Sequence, residues 1–179
     1  NIELSPLSKI SRSELKNQNI LKESEKIFIG KSCEIFDSTF YGSVSLQENS
    51  TVKSSEISGN HQFSISSKIS GCSIKGNVQA EEYLKVFHAN LDGVTNIGRY
   101  TSLWGPNINI QSASSAPLTI GSFCSIARNF TVQTYNHNMK KITTYFIGQN
   151  LFGEHWENEI PTKGGVIIGN DVWIGANVT

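Results

Sequence analysis

The apolar residues at the C-terminal end of this chain recur in steps of six. In IGSFCSIARNFTVQTYNHNM (120–139) Ile120, Ile126 and Val132 are six apart, and in IIGNDVWIGANVT (167–179) so are Ile168 and Ile174. Neither the 3.6 period of a helix nor the alternation of a simple strand produces that step. Gly121, Gly169 and Gly175 follow the apolar residue, and the position four later is again small or apolar: Cys124, Phe130, Val172, Val178. Both positions can point inward if a bend follows each short strand. The spacing therefore predicts a prism of parallel strands, three to a turn of about eighteen residues, whose thin coils must support one another. Glycine, Asn or Asp at the bends would supply positive φ.

The rhythm persists upstream with less regularity. Ile97 and Leu103 open IGRYTSLWGPN, a near copy of IGSFCSIARNF, after which Gln111–Leu118 reads as an excursion. Ile29 and Ile35, Leu46 and Val52, and then Ile57, Phe63 and Ile69 recur at five or six, which favours coils over disorder in the Ser-rich stretch 43–75. Residues 1–26 lack the rhythm and are expected to be irregular or helical, with Ser11 or Ser13 capping a short polar helix through Lys26. One β-helix domain is expected over 27–179, interrupted by a projecting loop at about 134–165.

Charge narrows the partners. With 15 basic and 15 acidic residues the formal charge is zero, so no electrostatic footprint for nucleic acid or an anionic membrane is present. No apolar run is long enough for a membrane span, and a cytoplasmic location is expected. Three cysteines form no zinc-knuckle spacing, and Cys33 and Cys124 fall where a small inward side chain is wanted, as reduced core residues. No metal site is expected, since His61, His88 and His137 form no paired-histidine motif.

The chemistry is expected in the interruption. The rhythm stops at Thr134 and returns near Val166, and an insertion of this length between adjacent coils must lie outside the prism. It carries Tyr135, Asn136, His137, Asn138 and Met139 at its entry, then Tyr145, Phe146, Phe152, His155 and Trp156. Aromatic and polar side chains on a rigid flank suit a small-molecule wall, with Tyr135, Asn136, Phe152 and Trp156 as candidate substrate contacts.

The string from IGSFCSIARN through YNHNM, the loop ending in IPTKGGVIIGNDVWIG and the flanking hexads resemble the hexapeptide-repeat acyltransferases. The branch they resemble most is the xenobiotic acetyltransferases that modify chloramphenicol and streptogramins, whose relatives include O-acetyltransferases of sugars and bacterial polysaccharides. The resemblance covers about 97–179. It implies an all-β, left-handed parallel β-helix, a hand that spacing would not have chosen. It also implies a homotrimer with sites between neighbouring prisms, acetyl-CoA as co-substrate, and His137 as the catalytic histidine. Trp173, Gly175 and Ala176 would lie beside the pantetheine arm, and further coils beyond Thr179 would complete the coenzyme site.

Elementary chemistry agrees with that role. A hydroxyl is a poor nucleophile at neutral pH, and an imidazole, with an ordinary pKa of about 6.5, is suited to take its proton. No G-x-S-x-G elbow points to an acyl-enzyme, so direct transfer is expected. The long flank of coils before the histidine favours a bacterial glycan or sugar intermediate as acceptor. An antibiotic acceptor, a γ-type carbonic anhydrase and a non-enzymatic glycan- or protein-binding solenoid are the alternatives.

Overall fold

The computed structural model describes residues 2–11, 14–15 and 27–179, apart from 38, 55, 72 and 157. Short strands dominate, and every pair of strands among the described residues is parallel. Ile27–Ile29, Val44–Leu46, His61–Phe63, Val78–Ala80, Thr95–Ile97, Leu118–Ile120 and Val166–Ile168 stack in that order on one side of a solenoid. The remaining strands cover the other two sides as one network, because Lys85–Gly93 and Ser102–Ser112 each run through a corner and join them.

Register fixes the coil length. Ile27 faces Val44, His61 faces Val78, and Val78 faces Thr95, a repeat of 17 residues. The coil is therefore slightly shorter than the eighteen expected from the C-terminal spacing. Buried Phe63, Ile69, Ile74 and Ala80 step by six, five and six, so one side of the solenoid has a tighter bend than the others. Ile29, Ile35, Leu46, Val52, Ile97, Leu103, Ile120 and Ile126 are all buried, as their spacing predicts.

Residues 2–11 and 14–15 depart from expectation. Ile2–Leu4 pairs with Ile27–Ile29, Lys9–Ser11 with Glu34–Phe36, and Glu14–Leu15 with Thr39–Tyr41. Leu4, Ile10 and Leu15 already carry the six-and-five step. It was obscured because Ile2 stands 25 positions before its partner Ile27 instead of 17, so the signal breaks before it repeats. Of the helix expected from Ser13 to Lys26, Glu14–Leu15 is a strand and the rest lies outside the described residues.

Glycine at the first corner also has a different cause from the one expected. Gly30, Gly98 and Gly121 do not adopt positive φ; instead, a Cβ on Gly98 would lie 2.6 Å from the Gly121 carbonyl carbon, and one on Gly121 2.6 Å from that of Gly169. Close backbone approach excludes a side chain there. Positive φ falls two residues later, on Ser32, Asn49, Ser66, Tyr83, Tyr100, Phe123 and Asp171. The last three aromatic members stack, with centroids 4.7 Å apart for Tyr83–Tyr100 and 5.3 Å for Tyr100–Phe123. The small residues just inside this corner close carbonyls of the next coil: Cys33 Sγ–H donates to the Gln47 carbonyl at 3.1 Å, Thr101 Oγ1–H to that of Gly121 at 2.8 Å, and Cys124 Sγ–H to that of Gly169 at 3.1 Å. Burial pushes the Cys33 thiol up, which keeps it protonated and unreactive.

The third corner takes the insertions. After Ser112 the chain makes a short turn closed by an Ala116 N–H to Ala113 carbonyl bond, so the excursion is narrower than Gln111–Leu118; those end residues belong to strands. One coil later the long loop leaves from the same corner, after Thr131–Gln133, and the register resumes with Leu118 facing Val166.

His61 shares its inward column with one other buried polar residue, Thr95. His61 is 3% exposed; Nδ1 accepts from the Val78 N–H at 3.3 Å, and Nε2–H donates to the Ser58 carbonyl. Burial holds this imidazole below its ordinary pKa, opposed by the Ser58 carbonyl. Below about pH 6.5 the unfolded chain therefore binds a proton that the folded one refuses, so the stabilisation is full above that pH and is lost as pH falls. Melting temperature is expected to drop as pH is lowered from about 7.5 to 5, and His61→Val, matching Val44 and Val78 in the column, should flatten that drop. An equal drop in both proteins would show that the buried ring is not its source.

Candidate active site

The loop is held by a neck of paired limbs. Thr162 Oγ1–H donates to the Thr134 carbonyl at 2.6 Å, the Asn136 N–H to the Pro161 carbonyl at 2.9 Å, and Asn138 Nδ2–H to the Asn158 carbonyl at 2.7 Å. Thr134 is itself fixed to the coil below, its N–H donating to Gln111 and its Oγ1 accepting from the Ala113 N–H. His137 thus sits between two anchored asparagines on a limb tied to the solenoid.

Two contacts set the ring of His137. Its Nδ1 lies 2.7 Å from the Thr144 carbonyl, and Phe146 stacks on its face at 4.2 Å and 3°. A carbonyl oxygen only accepts, so Nδ1 carries the proton and Nε2 of the neutral ring is left with its lone pair. The side chain is exposed and lines an open groove with Asn136, Met139, Pro161, Thr162 and Lys163. The groove therefore combines an oriented imidazole, a lysine and an apolar patch.

Phe146 is held by the segment that follows it. The Asn150 N–H donates to its carbonyl at 2.8 Å and leads into one wide helical turn, Gly148–Phe152. Glu159, 5% exposed, accepts the Gly148 N–H at 2.9 Å and the Gln149 N–H at 3.2 Å, satisfying amides at the start of that turn. A Cβ on Gly148 would stand 2.6 Å from the Trp156 ring, so only glycine fits. Gly153 ends the turn in the left-handed conformation, φ 68°. Glu159 and Thr144 were not singled out by the sequence, and Phe146 was read only as one of the loop's aromatic residues. Their roles depend on contacts across 7 to 11 residues of irregular chain, for which no periodicity exists.

The other candidates separate into three places. Tyr135 is half-buried, with its hydroxyl donating to Gln111 Oε1 at 3.2 Å, so it braces the neck against the coil. Phe152 and Trp156 stack at 5.4 Å, and the indole N–H donates to Glu154 at 3.0 Å. Trp156 opens onto a second groove with Lys140, Lys141, Ile142 and Tyr145, not onto that of His137. Trp173 is 79% exposed on the outer face of the last described coil, with exposed Ala176 and half-buried Gly175 following on the coil edge. Among the described residues no group of three or more His, Cys, Asp or Glu is placed to hold a metal ion. No helix among them is long and apolar enough to cross a membrane.

Glu159→Ala is expected to leave the melting temperature of the solenoid nearly unchanged while making the loop much more sensitive to limited proteolysis, because hydrogen bonds to a charged group contribute about 1.5–3 kcal/mol and here they act only on the loop. Cleavage at the wild-type rate would remove Glu159 from its organising role.

The chain is 50% identical over 70 residues to a probable macrolide acetyltransferase of Lysinibacillus sphaericus, a match covering 35% of this chain and 38% of that protein. No protein-family model and no solved structure matches the chain. What the similarity carries is an acetyltransferase relationship over part of the sequence.

Proposed function

We propose that this chain is part of an acetyl-CoA-dependent O-acetyltransferase in which His137 is the general base. The observation that carries the reading is the Nδ1–H bond from His137 to the Thr144 carbonyl, with the ring backed by Phe146. That arrangement leaves Nε2 to take the proton of an acceptor hydroxyl as its oxygen attacks the acetyl carbonyl. Collapse of the tetrahedral adduct breaks the C–S bond, and the proton on Nε2 passes to the departing thiolate of coenzyme A. The developing oxyanion calls for backbone N–H donors facing the groove.

The partial relative supports acetyl transfer and the parallel coils support a β-helical prism; its left hand, and its assembly as a trimer with sites between subunits, follow from the resemblance to the hexapeptide-repeat acyltransferases. In this reading Trp173, Gly175 and Ala176 flank the pantetheine arm. Asn136 and the aromatic residues Tyr135, Phe152 and Trp156 belong to the acceptor side, Trp156 through the neighbouring groove. The acceptor is a hydroxyl of a bacterial glycan or sugar intermediate, supported by the long stack of coils preceding the loop. A macrolide is the second reading, supported by the name of the 50% identical relative.

His137→Ala should fold normally and lose about 10²–10⁴-fold in turnover, measured as coenzyme A release; unchanged turnover would refute the mechanism. The same assay run against macrolides and against sugar acceptors separates the two acceptor readings. Light scattering should give a trimer, and a monomer at micromolar concentration would refute an intersubunit site.

A further inference from the structure

The outer face of the solenoid's second side carries a groove that the acetyl-transfer reading does not use. Its lining includes Lys53, Lys68, Lys85, Phe87 and Trp104, with Glu34 as the acid among the lining residues. Register places Lys68 directly opposite Lys85 on adjacent strands, about 4.8 Å apart. Both are exposed, and among the described residues neither has an ion-pair partner. Like charges opposed across a strand pair are unfavourable, so the fold retains a repulsion that an anion would relieve.

Beside the lysines stands an aromatic platform. Phe87 and Trp104 are also register partners, stacked at 5.3 Å and 21°, and Trp104 remains 59% exposed. Leu103 pairs with Ile126, so the position above Trp104 in the next coil is Ala127, too small to cover the indole. A ring can lie against that indole while its acidic substituent reaches the lysines.

We propose that this groove binds an acidic glycan, with sugar carboxylates on Lys68 and Lys85 and a pyranose face on Trp104. A flat face whose side chains repeat at the strand spacing matches an extended polymer of six-membered rings. Three lysines in a chain of zero net charge are too few for nucleic acid, whose binding rests on many phosphate contacts. The site lies two coils before the one that ends in the loop, Lys85 aligning with Ser102 and Ser102 with Ser125. As the acceptor class for acetyl transfer it rests on that reading; as a binding site it does not.

Calorimetric titration with polygalacturonate at low salt tests the proposal, with carboxyl-reduced polygalacturonate as the uncharged control and inorganic polyphosphate as the ring-free one. Polygalacturonate should bind, the reduced polymer should not, and affinity should fall about tenfold or more in Lys68→Gln/Lys85→Gln and in Trp104→Ala, while His137→Ala binds normally. These side chains are exposed, so circular dichroism should confirm that the variants fold. No binding by the wild type, or wild-type affinity in either variant, would overturn the site. Polyphosphate or single-stranded DNA binding equally well in the Trp104 variant would overturn the glycan assignment by revealing an unspecific polyanion patch. Coenzyme A release with a small acceptor is measured separately, so its failure counts against acetyl transfer alone.

Discussion

The structure depends on backbone hydrogen bonds made between coils in register. The Gly30 N–H reaches the Leu46 carbonyl at 2.8 Å, Thr51 reaches Ser67 at 2.8 Å, Gly98 reaches Ile120 at 2.8 Å, and Ser125 reaches Val172 at 3.0 Å. These bonds continue through the bends, so each coil must copy the path of its neighbour or leave buried amides unpaired. Columns of equivalent residues are the result. They explain why a glycine is kept where backbones crowd, why small Cys33, Ser50, Ser67, Thr101 and Cys124 recur inside one corner, and why isoleucine stacks on valine along the axis.

The candidate site uses the freedom this constraint leaves. A coil can leave the stack at a corner if it returns to the same register, and the chain does so between Gln133 and Val166. Outside the stack the ladder no longer satisfies the backbone, and side chains take over: Thr162, Asn138 and Glu159 close amides and carbonyls that strands would otherwise pair. The result is an irregular segment with a defined imidazole orientation, supported by a regular body that fixes the limb carrying the ring.

Periodicity made the coils legible, down to burial of individual residues such as Ile35, Phe63 and Ile126. It failed at the N-terminus, where a single irregular interval before Ile27 hid a pattern of the same step. It also assigned positive φ to glycines that are there for close packing, because sequence does not distinguish the two uses of a missing side chain. In the loop, His137 stood out through its surroundings, whereas Phe146 and Glu159 act through three-dimensional contacts that no local pattern announces. The turning of Trp156 into a separate groove, with Phe152 stacked on it, was equally unreadable, since loop proximity in sequence does not fix which way a ring faces.

The aromatic corner limits how such a chain can be rebuilt. Left-handed backbone costs an ordinary L-residue about 1–2 kcal/mol, and Tyr83, Tyr100 and Phe123 accept that conformation while leaning on one another across coils. Ser32, Asn49 and Ser66 occupy the same column without such rings. Coils below Tyr83 therefore behave as modules that recombination can duplicate, delete or exchange, whereas a breakpoint between Tyr83 and Phe123 separates rings that support each other. The coils that lead up to the loop are thus coupled as a block by their rings, while those before Tyr83 lack that coupling.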